Sequence, residues 1–245
     1  MILMRYIYLS PHLDDAVLSA GGLIYEQTHA GIPVEIWTIM CGFPPENEVS
    51  PFAEDMHMQW GFSSAKETVE KRRTENENAA AIVGAKAIHF DFLDCIYRRG
   101  KNGEWLYTES VFDPPLESEA DLPAEIASTI VLHLQPDDAL VCQLTVGNHV
   151  DHVSVRKAAE LLERPLIYDA DIPYLLNHPD ELSSKTAGMK EKVLAVSETG
   201  LKSWQEAIAA YPSQIAMLFE NPELMQEKMR GYWSEHQGIR FWKFE

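Results

Sequence analysis

The chain is short of cysteine, of positive charge and of long apolar runs, and each shortage excludes a class of protein. Its three cysteines, Cys41, Cys95 and Cys142, are odd in number and widely spaced among 245 residues. Neither a disulfide framework nor a CxxC metal site is indicated, and they read as reduced, packed thiols. Twenty Lys and Arg stand against 38 Asp and Glu, a formal net charge of −18. That balance argues against a nucleic acid as partner, since phosphate backbones need clustered basic residues, and against an anionic membrane surface. A small ligand, uncharged or cationic, fits better. No stretch approaches the roughly 20 apolar residues that span a bilayer. Met1 to Leu9 also lacks the apolar core and small-residue cleavage site of a signal peptide, so the expected location is the cytoplasm. Internal repeats, low-complexity tracts and Pro/Gly-rich linkers are missing too. One domain over residues 1–245 is therefore expected, and 46% hydrophobic residues suffice for its core.

What is present alternates between strand-like and helix-like segments, the pattern of an α/β protein with a Rossmann-like, largely parallel sheet covered by helices on both faces. Tyr6 to Leu9 reads as the first strand. A helix from Asp14 or Asp15 to about Ala30 follows, ended by Gly31 and Pro33. Val34 to Met40 is the second strand, and Cys41 to Ser64, with three prolines, reads as an irregular segment that is either a lid or a solvated insertion. A helix over Ala65 to Val83, closed by Gly84, leads to a strand at Ala87 to Asp91. The stretch from Asp94 to about Leu122 reads as irregular, with Arg98 to Gly103 as an exposed turn. A helix at Pro123 to Leu134, a strand at Ala139 to Cys142, a helix at His152 to Leu162 and a strand at Leu166 to Asp169 complete the series. From about Lys185 onward the apolar spacing predicts a helical C-terminal cap. Gly21-Gly22 inside the first helix costs about 1 kcal/mol per residue relative to alanine. Close packing of that helix on the sheet accounts for the pair, because no GxGxxG or phosphate loop accompanies it.

Two short motifs carry the chemistry. Ser10-Pro11-His12-Leu13-Asp14-Asp15 follows the first strand, and Gly147-Asn148-His149-Val150-Asp151-His152 follows the strand at 139–142. Both fall at strand-to-helix junctions, along the carboxyl edge where open α/β sheets bind ligands. Two His and one Asp form the mixed ligand set that holds a catalytic Zn²⁺ with a position open for water. A second Asp beside a ligand can take that water's proton. The second motif can place one imidazole on the metal and the other beside it, with Asp151 fixing a tautomer. The other six histidines, His29, His57, His89, His133, His178 and His236, have no carboxylate-rich motif around them. Two His and a carboxylate also suit Fe²⁺.

These residues resemble the LmbE-like or PIG-L-like deacetylases, zinc-dependent enzymes that remove acyl groups from N-acetylglucosaminyl and related compounds. Members of that family carry Pro-His-x-Asp-Asp after the first strand and His-x-Asp-His after a later one, here Pro11 to Asp15 and His149 to His152. The resemblance implies that His12, Asp15 and His152 bind the metal and that Asp14 is the general base. It implies further that a protonated His149 stabilises the oxyanion, with Asp151 behind it. The family's Arg-x-x-Glu helix is similar to Arg72 to Glu75, and its later Asp to Asp94, so Arg72 and Asp94 are implied to contact sugar hydroxyls. Two departures stand out. Ala16 occupies a position where many members have Glu, and Leu144 to Asn148 lacks a tyrosine that some members use there. Tyr97, Tyr174 and Tyr211 are the other phenols to consider for a second acid. The expected activity is therefore metal-dependent hydrolysis of the amide of a small N-acylated amino sugar. Hydrolysis of another bond, such as the amide of a thiol conjugate or a phosphoester, and a non-catalytic sugar-binding relative are the alternatives. A homo-oligomer stays open, since the aromatics Trp233, Phe241, Trp242 and Phe244 can anchor the C-terminus to the core or to a neighbouring subunit.

Overall fold

The computed structural model describes residues 4–45 and 48–244. Along the chain it runs β1 (Tyr6–Ser10), α1 (Asp15–His29), β2 (Val34–Met40), α2 (Pro51–Trp60), α3 (Ala65–Ile82) and β3 (Lys86–Phe92). Then follow α4 (Leu122–Ile130), β4 (Ala139–Gln143), α5 (Val150–Glu160), β5 (Leu166–Asp169), α6 (Tyr174–Asn177) and α7 (Leu182–Lys185). The chain closes with β6 (Met189–Ala195), α8 (Glu198–Ala209), α9 (Pro212–Phe219), α10 (Pro222–His236) and β7 (Gly238–Phe244). Among the described residues the strands form one sheet in the order β3-β2-β1-β4-β5-β7-β6. The first five are parallel to their neighbours and the last two pair antiparallel. The strand order reverses between β1 and β4. Right-handed crossovers then place α1 and α3 on one face and α5 on the other, and the seam between β1 and β4 becomes the switch point of the sheet.

The α/β reading and its parallel sheet hold, with three differences in detail. Residues 41–64 are not irregular throughout. Ser50 accepts a hydrogen bond from the Ala53 N–H, Pro51 opens α2 and Gly61 closes it at a φ of +80°. These are start and stop signals of a helix, and Pro44 and Pro45 just upstream mask them. The segment beyond Lys185 does contain α8, α9 and α10, but it also adds β6 and β7 to the sheet. β6 is an exposed edge strand with Lys190-Glu191-Lys192 at its centre, a charged composition that protects an edge and hides the strand period. Arg98, expected in an exposed turn, is only 8% exposed.

Gly21 and Gly22 have a tertiary cause, though α8 and not the sheet supplies it. A Cβ on Gly21 would lie 2.6 Å from Cδ1 of Trp204, and one on Gly22 would lie 3.2 Å from the same indole. The indole N–H donates to the Val17 carbonyl at 2.7 Å, so α1 and α8 meet through a notch only glycine leaves. The main core surrounds the sheet. A second apolar cluster beneath α2 unites Ala53, Trp60, Val69, Ile96, Tyr97 and Val150 and fixes α2 over the carboxyl edge. Trp233, Phe241 and Trp242 are buried in the main core, whereas Phe244 is 55% exposed. No helix among the described residues is long and apolar enough to cross a membrane.

Candidate active site

Because β1 and β4 lie side by side and parallel, the turns after them meet. The Ser10 hydroxyl donates to the His12 carbonyl at 2.6 Å and accepts from the Ala16 N–H at 3.0 Å, which folds the first motif back onto the start of α1. After β4 the backbone passes through left-handed conformations at Thr145, Gly147 and Asn148. A Cβ on Gly147 would come within 2.9 Å of the Tyr174 ring. His149 then caps α5, its Nδ1 accepting the Asp151 N–H at 3.2 Å. The helix begins at Val150, two residues before the expected start, which places His152 in its first turn.

The expected ligand set converges. Asp15 Oδ2 lies 3.2 Å from His12 Nδ1 and 3.4 Å from His152 Nε2. Ligands held at about 2.0–2.2 Å around a tetrahedral ion are separated by roughly 3.3–3.6 Å, so the two separations from Asp15 Oδ2 are close to the edges of such a site. His152 Nε2 is buried and has no hydrogen-bond partner among the described residues. A buried polar atom left in that state needs an explanation, and a cation supplies one. The far nitrogen of each imidazole is held by a carboxylate: His12 Nε2 by Asp151 Oδ2 at 3.1 Å and His152 Nδ1 by Asp171 Oδ1 at 2.9 Å. Such carboxylate–imidazole pairs fix tautomer and ring orientation in metal sites. The residues present therefore fit a divalent cation. His149 lies in the same cluster, its ligand atom within 4.8 Å of those of His12 and His152.

Electrostatics separate the two aspartates of the first motif. Burial raises the Asp15 carboxyl, but the imidazoles of His152 and His12 outweigh it and hold it well below the usual carboxylate range. Burial also raises Asp14, and there it prevails over the Arg72 guanidinium 3.3 Å away. The two neighbouring carboxyls are thus shifted in opposite directions. His149 is pushed well below the ordinary histidine value by burial and by its neighbours His12 and His152. With Nδ1 accepting the Asp151 N–H, Nε2 is the ring nitrogen left to carry a proton.

A cavity of about 450 Å³ opens above these groups. His12, Asp14, Asp15, Arg72, Asp94 and His149 form its polar floor, while Phe52, Met56, Trp60, Phe112, Met217 and Leu218 form an apolar wall. Arg72 stacks over the Trp60 ring at 4.7 Å. Asp94 also caps the turn at Cys95–Tyr97, where Oδ1 accepts the Ile96 N–H at 3.2 Å. Asp151 departs from its expected place behind the His149 ring. Its carboxylate meets His12 and, at 2.6 Å, Arg98, and only its backbone N–H reaches His149. Of the three phenols, Tyr174 lines the cavity, 5.3 Å from the His152 ring centroid. Tyr97 is bound to His57 at 2.6 Å and Tyr211 to Asn76 at 3.2 Å.

Sequence reasoning missed Arg98, Asp171 and the apolar wall. Asp171 had a readable signal, a carboxylate two residues beyond a parallel strand on the edge that carries both motifs. Arg98 had none, because its acidic partners are distant in sequence.

Residues 7–162 match the protein family described as PIG-L, GlcNAc-PI de-N-acetylase. The chain is 26% identical to the 2'-N-acetylparomamine deacetylase of Niallia circulans, over 87% of this chain and 82% of that protein. Among solved structures, a deacetylase of teicoplanin biosynthesis in complex with teicoplanin aligns at a TM-score of 0.83 and 27% identity, covering 98% of both chains. A zinc-inhibited form of teicoplanin deacetylase aligns at 0.82 and 26%, covering 98% of this chain and 97% of that one. At 14% identity, the N,N'-diacetylchitobiose deacetylase of Pyrococcus horikoshii shares the fold, with a TM-score of 0.56 over 98% of this chain and 82% of that one. With a match that begins in β1 and runs through both motifs to just beyond the end of α5, the chain belongs to the PIG-L family of de-N-acetylases.

Proposed function

We propose that this protein is a metal-dependent N-deacetylase acting on a small N-acylated amino sugar, with His12, Asp15 and His152 as the ligands of Zn²⁺. Fe²⁺ fits the same donors. The observation that carries the reading is the placement of Asp15 Oδ2 between His12 Nδ1 and the otherwise unbonded His152 Nε2. When bound by these residues, a cation would supply polarisation of the amide carbonyl and a lowered pKa for an attacking water. Asp14, raised by burial and tethered by Arg72, accepts the proton of that water and returns it to the departing amine. His149 donates its Nε2–H to the carbonyl oxygen as negative charge develops there. Asp151 and Asp171 keep the two ligand imidazoles in one tautomer each. Arg72 and Asp94, on the same floor, orient the sugar through its hydroxyls.

The apolar wall adds a preference. A bare polyol leaves Phe112 and Met217, 51% and 44% exposed, in contact with water, whereas an alkyl or aryl group on the substrate covers them. The reading takes residues 1–245 as one cytoplasmic domain whose partner is this small molecule. Elemental mass spectrometry on protein purified without chelators, with an assay of amine release from N-acetylglucosamine and its octyl and nitrophenyl glycosides, tests it. About one metal per chain in wild type, none in the double variant Asp15→Ala/His152→Ala, and faster turnover of the substituted glycosides are expected. No metal after reconstitution with Zn²⁺ or Fe²⁺ overturns the reading.

A further inference from the structure

Arg98 is buried in a part of the chain with little regular structure, and its contacts run in two directions. On one side Nε lies 2.6 Å from Glu119 Oε1 and Nη2 donates to Glu119 Oε2 at 3.3 Å. Tyr107 donates its hydroxyl to the same carboxylate at 2.5 Å, and its ring lies 5.4 Å from the guanidinium carbon. On the other side Nη1 lies 2.6 Å from Asp151 Oδ1 and donates to the Leu93 carbonyl at 3.1 Å. The remaining oxygen of Asp151 accepts the Cys95 N–H at 3.0 Å and meets His12 Nε2 at 3.1 Å. The groups form one file, Glu119, Arg98, Asp151, His12, that ends at the donor atom facing Asp15.

From this geometry we infer that Arg98 is a positioning residue for the metal centre: by clamping Asp151 it holds the His12 ring and so sets how tightly a divalent cation binds. The inference rests on His12 being a ligand, as in the functional reading above. Asp151 is completely buried and Glu119 stands on the far side of the guanidinium. Without a cation between them the two carboxylates face each other, and removing one partner of a buried pair leaves an uncompensated charge. Asp151 then turns from His12, and the ring loses the contact that fixes its tautomer. Only a planar fork spans both acids. A lysine meets one of them.

The test uses the full-length protein and Zn²⁺ alone, with affinity measured by competition with a chromophoric chelator and folding followed by circular dichroism and Tm. R98Q is expected to weaken Zn²⁺ binding about 10- to 100-fold, the range typical of groups that orient a ligand. R98K is expected to weaken it by roughly 3- to 10-fold, since it keeps the charge and loses the fork. Y107F removes a hydroxyl from the Glu119 end only and is expected to leave Zn²⁺ affinity within about twofold while lowering Tm. A folded R98Q with wild-type affinity overturns the inference and leaves Arg98 as loop support. Should R98Q not fold, wild-type affinity in R98K overturns it equally. A wild type that binds neither Zn²⁺ nor Fe²⁺ overturns this inference together with the deacetylase reading, whereas metal binding unaffected by the Arg98 variants overturns this one alone.

Discussion

The floor and the wall of the cavity are built by different means. Floor residues come mainly from the ends of parallel strands, are almost fully buried, and are held by carboxylate–imidazole and guanidinium–carboxylate pairs. Wall residues come from α2, the 109–112 segment and α9, carry large apolar side chains, and include some left substantially exposed. On the proposed function, the contrast teaches that the reaction is tied to the sheet, where side chains have few alternatives, while selection is entrusted to elements outside it. A floor change should abolish turnover whatever the substrate, and a wall change should alter which substrate is preferred.

The harshest test is Asp14→Asn. It keeps the shape of the floor and removes the proposed base, so kcat should fall by about 10³-fold on every substrate while the metal content stays near one per chain. Near wild-type activity would break the division at its centre. Next, His149→Ala deletes the imidazole proposed to meet the carbonyl oxygen, and a loss of roughly 10²- to 10³-fold in kcat is expected with little change in KM. A rise in KM alone would move His149 from floor to wall. Phe112→Ala should be milder and selective. The expected drop in kcat/KM is about tenfold for the nitrophenyl glycoside, within the span of discrimination available to an apolar contact, and none for unsubstituted N-acetylglucosamine. Equal losses on both would erase the distinction between floor and wall. Gly21→Ala acts away from both surfaces. Its methyl meets Trp204, an overpacking worth about 1–3 kcal/mol, so thermal denaturation should show a lower Tm with kcat unchanged. The smallest effect is expected at Cys41, whose thiol is pushed up to about 12 by burial. Iodoacetamide on native protein at neutral pH should leave it unlabelled and activity untouched, as thiolate is the reactive form.

Much of the floor could be read before any coordinates because it is local in sequence. His12 to Asp15 and His149 to His152 are compact motifs, and the strand pattern alone places both on one edge. The partners behind them were harder. Asp171 sits close to the first turn of α5 only because β5 returns beside β4, and Arg98 finds Asp151 across more than fifty residues. The wall was invisible for another reason. Phe52, Met56, Phe112 and Met217 differ in no way from ordinary apolar residues until three separate elements bring them together. β6 was missed because an edge strand that repels other edges through Lys190 and Glu191 has the composition of a surface helix, and β7, which lies between β5 and β6, follows a long run of helices that hid its change of period.

Trp204 has a further consequence, for the order in which the molecule is made. The indole that occupies the notch at Gly21 and Gly22 belongs to a helix translated long after α1, and β7, which completes the pairing of β5, is the last strand to be made. A nascent chain can therefore emerge with both motifs in hand and still lack the piece that seats α1, whose first residue is Asp15. Seating of α1 waits for the C-terminal third of the protein, and a truncated product ending before Trp204 would carry both motifs without the indole that packs on that helix.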